Sequence, residues 1–303
     1  MNFHAFWDWT HHVSALTLLA FASTAMLAPP LKAQSSPALA FEAATVKPSA
    51  SQNGRGRMQG GPGTDDPGRI SFTNVTLFNV ILRAYDLLGF QLSAPEWASA
   101  RRYDIAAVVP AGISKEQCNQ MLQRLLNERF HLVVRHETRM IRGFDLVAIH
   151  GGSKIKVSVD STSSTSESPV NPPKTDSVGY PELSAPGLAM MEAAKDGGVI
   201  VYLTAKSQPI SALTRLLSRE FQMPISDETG LQGNFDFKLF FAPKPPGALP
   251  PPPSMEEPAG GTNDAAPNLT TAVQQQLGLR LNARKIPTRV LVVDQADQIP
   301  SEN

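Results

Sequence analysis

Three aspartates recur in this chain in one local setting, each between an aromatic and an apolar residue. The runs are Tyr103-Asp104-Ile105, Phe144-Asp145-Leu146 and Phe235-Asp236-Phe237. Two carboxylates can act as general acid and base if both reach one substrate. The same acid in successive repeats is instead dispersed around a fold, and in a strand it points away from its two neighbours. The recurrence therefore favours a structural role, and no catalytic residue is predicted.

The histidines and the single cysteine lack the spacing of a reactive site. His131 and His136 fall in a predicted strand, on opposite faces, and His150 lies at a strand end. This is not the tight spacing of zinc ligands. Cys118 shares the apolar face of a predicted helix, which indicates a buried packing thiol. No metal or cofactor is therefore expected.

The segment 53–69, NGRGRMQGGPGTDDPGR, is the predicted ligand or partner loop. Its six glycines and two prolines indicate a loop or mobile flap rather than a regular element. A dinucleotide fingerprint needs another glycine spacing and a following helix, whereas a strand follows here. The candidate contact residues are the charged ones: Arg55, Arg57, Asp65, Asp66 and Arg69.

The overall charge argues against a nucleic-acid partner. The chain has 27 basic and 27 acidic residues, and apolar residues make up 42% of it, which is typical of a folded core. Nucleic-acid binders usually gather a basic excess on one face. Only the small group of loop arginines is clustered here, so we expect no nucleic acid and favour a protein or cell-envelope component as partner.

Residues 1–33 are predicted to be a signal peptide, cleaved after Ala33. The apolar run 13–28 is shorter than the roughly 20 residues of a spanning helix, and small residues follow it. No lysine or arginine precedes the run, so an uncleaved anchor or an amphipathic helix is an open alternative. No cysteine lies near the cleavage site, which excludes a lipoprotein anchor. We expect a periplasmic or secreted protein with no stable membrane span after cleavage.

The periodic segments that contain these residues predict an α+β fold of two tandem domains. Each domain has the order β-α-β-β-α-β-β, with helices packed on small mixed sheets. The expected parts are an N-terminal strand and glycine-rich loop at 34–69, a first domain at 70–150, a Ser/Thr/Pro-rich linker at 151–198, a second domain at 199–297 with a proline-rich insertion at 243–267, and a tail at 298–303.

Local signals predict where the elements begin and end. Ser114 and Gln117 match a capping box at a helix start, and Gly89 is expected to end the first helix. Pro209 suits the first turn of a helix that begins near Ile210. The runs HLVVRHE and FDLVAI are predicted as two strands, as are LRLNARK and RVLVVDQ.

Several stretches together resemble a family of secreted proteins from soil bacteria of the acidobacterial type, a domain of unknown function. They are FEAATVKPS, GRISFTNVTLFNVILRAYDL, APEWASARRYDIAA, MLQRLLNERFHLVVRHETR, SDETGLQGNFDF, QQQLGLRLNARK and PSEN. The resemblance spans nearly the whole mature chain and implies no activity, ligand or catalytic residue. The long proline-rich insertion and the absence of lysine and arginine from the region before the apolar run depart from the pattern of the family.

The order of elements is also similar to the short N-terminal domain of secretins and TonB-dependent receptors, a docking module. This likeness implies that a partner strand can add to a strand edge such as that of HLVVRHE. We therefore predict an exported, non-catalytic docking protein. The alternative is an extracytoplasmic hydrolase or carbohydrate-active protein whose site lies between the domains, under residues 53–69, with Asp65 and Asp66 taking part.

Overall fold

Five α-helices and three four-stranded sheets form within the part of the chain that the computed structural model describes, residues 39–159, 174–195, 198–243 and 266–301. From Leu39 onward the chain is one compact unit. The predicted signal peptide and residues 244–265 of the proline-rich insertion lie outside the described residues. The α+β fold class is confirmed.

The first sheet has the order β1-β5-β3-β2, and all its neighbours are antiparallel. Its strands alternate buried and exposed residues, as expected for a sheet with one face on a core. The strands are β1 (Ala43–Pro48), β2 (Arg57–Gly60), β3 (Arg69–Thr76) and β5 (Arg102–Val108).

The second sheet has the order β7-β11-β9-β8, again antiparallel throughout. Its strands are β7 (Lys156–Val157), β8 (Gly187–Lys195), β9 (Gly198–Pro209) and β11 (Asn234–Phe241). Strand for strand, this repeats the first sheet. We therefore call residues 43–148 the first repeat and residues 156–295 the second repeat.

The central sheet joins the repeats and has the order β10-β6-β12-β4. β6 and β12 pair antiparallel along almost their whole length, and each also takes a short parallel strand from the other repeat. Its strands are β4 (Leu92–Ser93), β6 (Val133–Ala148), β10 (Ile225–Asp227) and β12 (Leu279–Gln295).

Both hydrophobic clusters contain residues of both repeats, because β6 and β12 each extend into the cluster of the other repeat. Leu291 and Val293 of β12 lie in the cluster of the first repeat, while Phe144 and Leu146 of β6 lie in that of the second. Each cluster is thus completed by the last strand of the other repeat. The predicted domain boundaries stay a prediction. The structure shows in addition that the last strand of each repeat packs in the hydrophobic cluster of the other.

The helices follow the same order in both repeats, apart from the additional short α2 in the first. Between strands they lie as β3-α1-β4-α2-β5-α3-β6 and β9-α4-β10-β11-α5-β12. The bounds are α1 (Leu77–Tyr85), α2 (Glu96–Ala100), α3 (Lys115–Phe130), α4 (Ile210–Phe221) and α5 (Leu269–Leu277). No helix of the described ranges combines the length and apolar character needed to cross a membrane.

The predicted capping box is confirmed, but the predicted helix end at Gly89 is wrong. The Ser114 hydroxyl accepts from the Gln117 amide at 3.2 Å, and the Gln117 side chain accepts from the Ser114 amide at 2.8 Å. α1 already ends at Asp86, which adopts a left-handed conformation with φ of 50°. Asp tolerates this conformation, so it ends the helix without glycine.

The strand pairs predicted at the end of each domain are wrong, since each is one continuous strand, β6 or β12. The middle of β6 carries mainly exposed polar residues, which hide its continuity in the sequence. Gly143 lies where β10 approaches, and a Cβ there would come within 2.2 Å of the Pro224 carbonyl oxygen. This glycine therefore permits the contact between strands and does not mark a strand end.

Strands also lie in segments predicted to be irregular. β2 lies inside the glycine-rich segment, and β7 and β8 lie inside the predicted linker. Residues 160–173 of that linker lie outside the described residues. Pairing with β3, β11 and β9 holds these strands in place, and composition alone does not reveal such pairing.

The described part of the C-terminal tail packs against α3. The Tyr103 hydroxyl donates to the Gln298 carbonyl at 2.7 Å, and the Ser301 amide donates to the Arg129 carbonyl at 2.8 Å. The tail thus lies against β5 and the C-terminal end of α3.

Candidate functional site

Asp104 and Asp236 hold equivalent bulges in the two repeats. The Asn74 amide donates to Asp104 Oδ1 at 2.9 Å, and the Ser207 amide donates to Asp236 Oδ1 at 2.7 Å. Asn74 and Ser207 are left-handed, with φ of 55° and 50°. Each lies where the strand pairing shifts just before a helix. Both carboxylates therefore stabilise a bulge that turns the chain into α1 or α4.

Asp145 has a different role, although its local sequence is the same. It lies on β6, and Arg284 of β12 donates to its Oδ2 at 3.0 Å. The other carboxylate oxygen is buried and has no hydrogen-bond partner within the described residues. The aspartates are therefore two bulge clamps and one cross-strand ion pair, and they do not converge on one substrate.

The candidate residues of the glycine-rich segment lie along a hairpin. Arg57 begins β2, and Arg69 lies beyond the turn that contains Asp65 and Asp66. All of the candidates, Arg55 included, are exposed. The Gly61 amide donates to the carbonyls of Asp66 and Arg69, at 3.0 and 2.8 Å, so the turn is held by its own backbone. None of the candidates lines either of the two cavities described below.

The cysteine prediction is confirmed, but His131 is not in a strand. Cys118 is fully buried on α3, and burial raises the pKa of its thiol. His131 ends α3 in a left-handed conformation, with its Nδ1 2.7 Å from Asp297 Oδ2. Within the described ranges, no group of three or more histidine, cysteine, aspartate or glutamate residues could hold a metal ion.

A cleft of about 1160 Å³ is lined by residues of β8, β9 and β11, by the end of α5 and by residues 174–186. We call residues 174–186 the strap, which lies against the second sheet through Asp176 and Tyr180. Five lysines line the cleft together with three carboxylates, those of Asp176, Glu182 and Asp236. The lysines come from separate parts of the second repeat and its approach: Lys154, Lys156, Lys174, Lys206 and Lys238.

Asp176 and Lys238 fasten the strap to the sheet. Their side chains form an ion pair at 2.7 Å, and the Lys238 ammonium lies 4.9 Å from the centre of the Tyr180 ring. Tyr180 also packs edge to face on Tyr202, with ring centres 5.2 Å apart. The bond from Lys238 lowers the pKa of Asp176 to about 2, with further donation from the amides of its own turn. The strap is thus held by charge and by aromatic packing.

Thr204 lies in the floor of the cleft with an unsatisfied hydroxyl. It is 9% exposed, and its Oγ1 has no hydrogen-bond partner within the described residues. Cross-strand pairing places it between Ala189 and Lys238. Buried hydroxyls usually form a hydrogen bond, so Thr204 Oγ1 is an exception within the described residues.

A second cavity of about 870 Å³ lies between α1 and α4 of the two repeats. Its charged lining consists of Arg83, Arg215, Arg219 and one acid, Asp86. Hydrolysis by paired carboxylates requires two acids on one substrate. Nothing in this lining specifically favours the hydrolase alternative.

Sequence reasoning missed the lysine-lined cleft because its residues are scattered. Lys154 and Lys156 precede β11 by some 80 residues, and Lys174 lies in a segment interpreted as a linker. The one available signal was the alternation of aromatic with charged residues in β11, which places Asp236 and Lys238 on the face opposite Phe235 and Phe237.

Comparison with known proteins gives one finding. Searches of curated proteins and of solved structures gave no match. A protein-family model described as "Protein of unknown function (DUF3738)" matches residues 79–296, well over half of the chain.

Proposed function

Since the chain belongs to the DUF3738 family, whose description gives no activity, we propose a function from its surfaces: it is an exported, non-catalytic docking protein that binds an extended segment of a partner polypeptide along β8. The partner is a protein of the cell envelope or its surroundings. The open edge of β8 carries this proposal.

β8 ends the second sheet and is nine residues long. It pairs with β9 over its full length, from Gly187 opposite Lys206 to Lys195 opposite Gly198. The described residues place no strand along its other edge. A row of backbone donors and acceptors on such an edge is a template for strand addition.

The equivalent edge of the first repeat is much less suited to this role. β2 has only four residues and leads into a glycine-rich turn. Short edge strands are one means by which proteins limit pairing with other chains. The strand edge predicted from HLVVRHE lies in β6, which pairs with β12 on one side and with β10 only at Phe144–Leu146 on the other, so its first part has an open side within the described residues. That part carries Arg135, Glu137 and Arg139, and charged side chains limit pairing at an edge. β8 has fewer charges and is the proposed docking edge.

Two neighbouring alanines near the end of β8 provide a test with an internal control. Adjacent residues of an antiparallel strand direct their amides to opposite sides. Of Ala193→Pro and Ala194→Pro, one removes a bond to β9 and the other removes only a donor on the open edge. We expect the first to lower the melting temperature and the second to leave it nearly unchanged.

Binding is then measured with the variant of unchanged melting temperature. The full chain is crosslinked in envelope extract, the captured polypeptide is identified by mass spectrometry, and its purified form is titrated against each variant. We expect the open-edge proline to weaken binding at least about tenfold, since strand addition rests on backbone bonds. Ala43→Pro, on β1 of the first sheet, is the control at another edge and should bind normally if it folds.

Unchanged binding to the open-edge variant would reject this docking site. A concentration-dependent dimer lost in the same variant would identify a second copy of the chain as the occupant and also reject the proposal. The proposal also includes export, a soil-bacterial origin and a likeness to the secretin-type module. Gln34 as the first residue of the mature chain from the native host would support export.

A further inference from the structure

We propose that the second cavity, between α1 and α4, binds a small amphipathic anion: a molecule with an apolar body and one carboxylate or phosphate head group. The cavity measures about 870 Å³, a volume typical of ligand pockets, and it lies where the two repeats meet. This inference goes beyond docking at β8, because no residue of β8 lines the cavity. It rests on the apolar wall, the buried lining and the arginines of the cavity.

Two large apolar side chains line the cavity without belonging to a core. Leu88 and Phe90 follow α1 and are half-buried, but neither packs in either hydrophobic cluster. Gly89 between them lies close to the second repeat, since a Cβ there would come within 3.0 Å of Gln222 Oε1. The loop after α1 thus presents an apolar wall beside α4. Covering this wall with a ligand is favourable because it removes apolar surface from water.

The buried residues that line the cavity have their polar groups bonded within the protein. The Ser218 hydroxyl accepts from the Ile225 amide at 3.2 Å, and the Thr288 hydroxyl donates to the Ile286 carbonyl at 3.1 Å. Pro224, also buried, lies in the same lining. This part of the cavity therefore requires no hydrogen bond from a ligand, which suits an apolar body better than a polar molecule.

Asp86 is the one acid among the residues that line the cavity, and two cations share it. Its carboxylate lies 3.6 Å from Arg215 and 4.0 Å from Lys115. The Arg215 side chain is 70% exposed, so a ligand can reach it. One carboxylate cannot neutralise two cations, and this corner of the cavity keeps a positive charge.

The other two arginines of the lining add to this positive charge. Arg83 donates to the side chain of Asn119, a neutral acceptor that does not cancel its charge. Arg219 interacts electrostatically with Glu220, a half-buried acid that does not line the cavity. Even with Asp86 and Glu220 at full charge, four cations face two acids in and around the cavity. Guanidinium groups bind carboxylate and phosphate oxygens, so an anionic head group fits here.

The test is calorimetric titration of the full chain with decanoate and, separately, with decyl phosphate, below the concentrations at which they form micelles. Decanol and decyltrimethylammonium carry the same apolar chain with a neutral and a cationic head group. We expect saturable binding of at least one anion with a Kd below about 1 mM, and at least about fivefold weaker binding of the neutral and cationic probes. A preference for decanoate would assign carboxylates, and a preference for decyl phosphate would assign phosphates.

Variants separate the head-group contacts from the apolar wall. Arg215→Gln, Arg219→Gln should weaken binding of the anion at least about fivefold and leave binding of decanol within about twofold, since only the charge contacts are lost. Phe90→Ala should weaken both probes about three- to tenfold with little change in melting temperature, because Phe90 lies outside both clusters. The control Arg142→Gln, Arg280→Gln makes the same charge change at exposed positions outside the cavity and should bind within about twofold of the parent.

Equal binding of the anionic, neutral and cationic probes, or no saturation of either anion, would overturn the proposal. An equal loss of binding in the arginine variant of the cavity and in the control variant would also overturn it. The open-edge proline variant of β8 should bind the anion as the parent does, so this test succeeds or fails separately from docking.

Discussion

The two repeats agree in their inner strands and differ at their edges. β3 and β5 of the first repeat, like β9 and β11 of the second, form an antiparallel pair with a bulge held by an aspartate. The outer strands differ, because β2 has four residues and β8 has nine, and the strap lies over the second sheet. The inner pair carries the shared fold, whereas the edges are where the repeats can acquire separate roles.

The long strands offer the strongest test of whether the repeats are independent. Leu291 belongs to the second repeat but is 1% exposed in the cluster of the first. We expect Leu291→Ala to lower the free energy of unfolding by about 2–5 kcal/mol, because it leaves a cavity in a core. Denaturant unfolding gives the size, and hydrogen exchange should show faster opening of α1 and α3 of the first repeat.

Met140→Ala is the matched control, since Met140 lies on β6 and is 60% exposed. It should change stability by no more than about 0.5 kcal/mol. A loosening confined to the second repeat in Leu291→Ala would contradict the exchange of strands between the cores.

The bulge aspartates test the equivalence of the inner strands. Asp104→Ala and Asp236→Ala should each lower the free energy of unfolding by about 1–3 kcal/mol, because each leaves a strand amide without its acceptor. Thermal and urea unfolding of both variants would check this. Asp65→Ala, at an exposed position of the glycine-rich turn, should be nearly neutral. If only one of the two bulge variants is destabilised, the repeats are not equivalent at this point.

Lowering the pH should affect the strap selectively, and this is the smallest of the predicted effects on global stability. The pKa of Asp176 is lowered from the usual 3.8 to about 2, mainly by the Lys238 bond. A lowered pKa means that the stabilisation is complete above about pH 4 and is lost as the pH falls towards 2. Amide resonances of Val178, Gly179 and Tyr180 should shift over this interval in an NMR titration.

The variant Asp176→Asn removes the titrating group that fastens the strap. Its strap resonances should lack this acid transition and should resemble those of the acid form of the parent. The same transition persisting in Asp176→Asn would show that another group controls the strap.

Sequence patterns predicted what depends on neighbours in the chain. The capping box of α3, the buried face that contains Cys118 and the start of α4 are visible because a helix repeats within a few residues. The continuity of β6 and β12 was missed because their middles are polar and exposed. The strands β7 and β8 were missed because pairing with distant strands defines them.

By itself, the sequence determined the α+β class, two helices in each repeat and the recurrence of an aspartate in successive units, since each of these follows from local periodicity. Only the tertiary structure decided that Asp104 and Asp236 clamp bulges while Asp145 pairs with Arg284. It also decided that the repeats exchange their last strands and that five scattered lysines share one cleft. The physical reason is that strand pairing and charge clustering join residues far apart in the chain, at distances set by the whole fold.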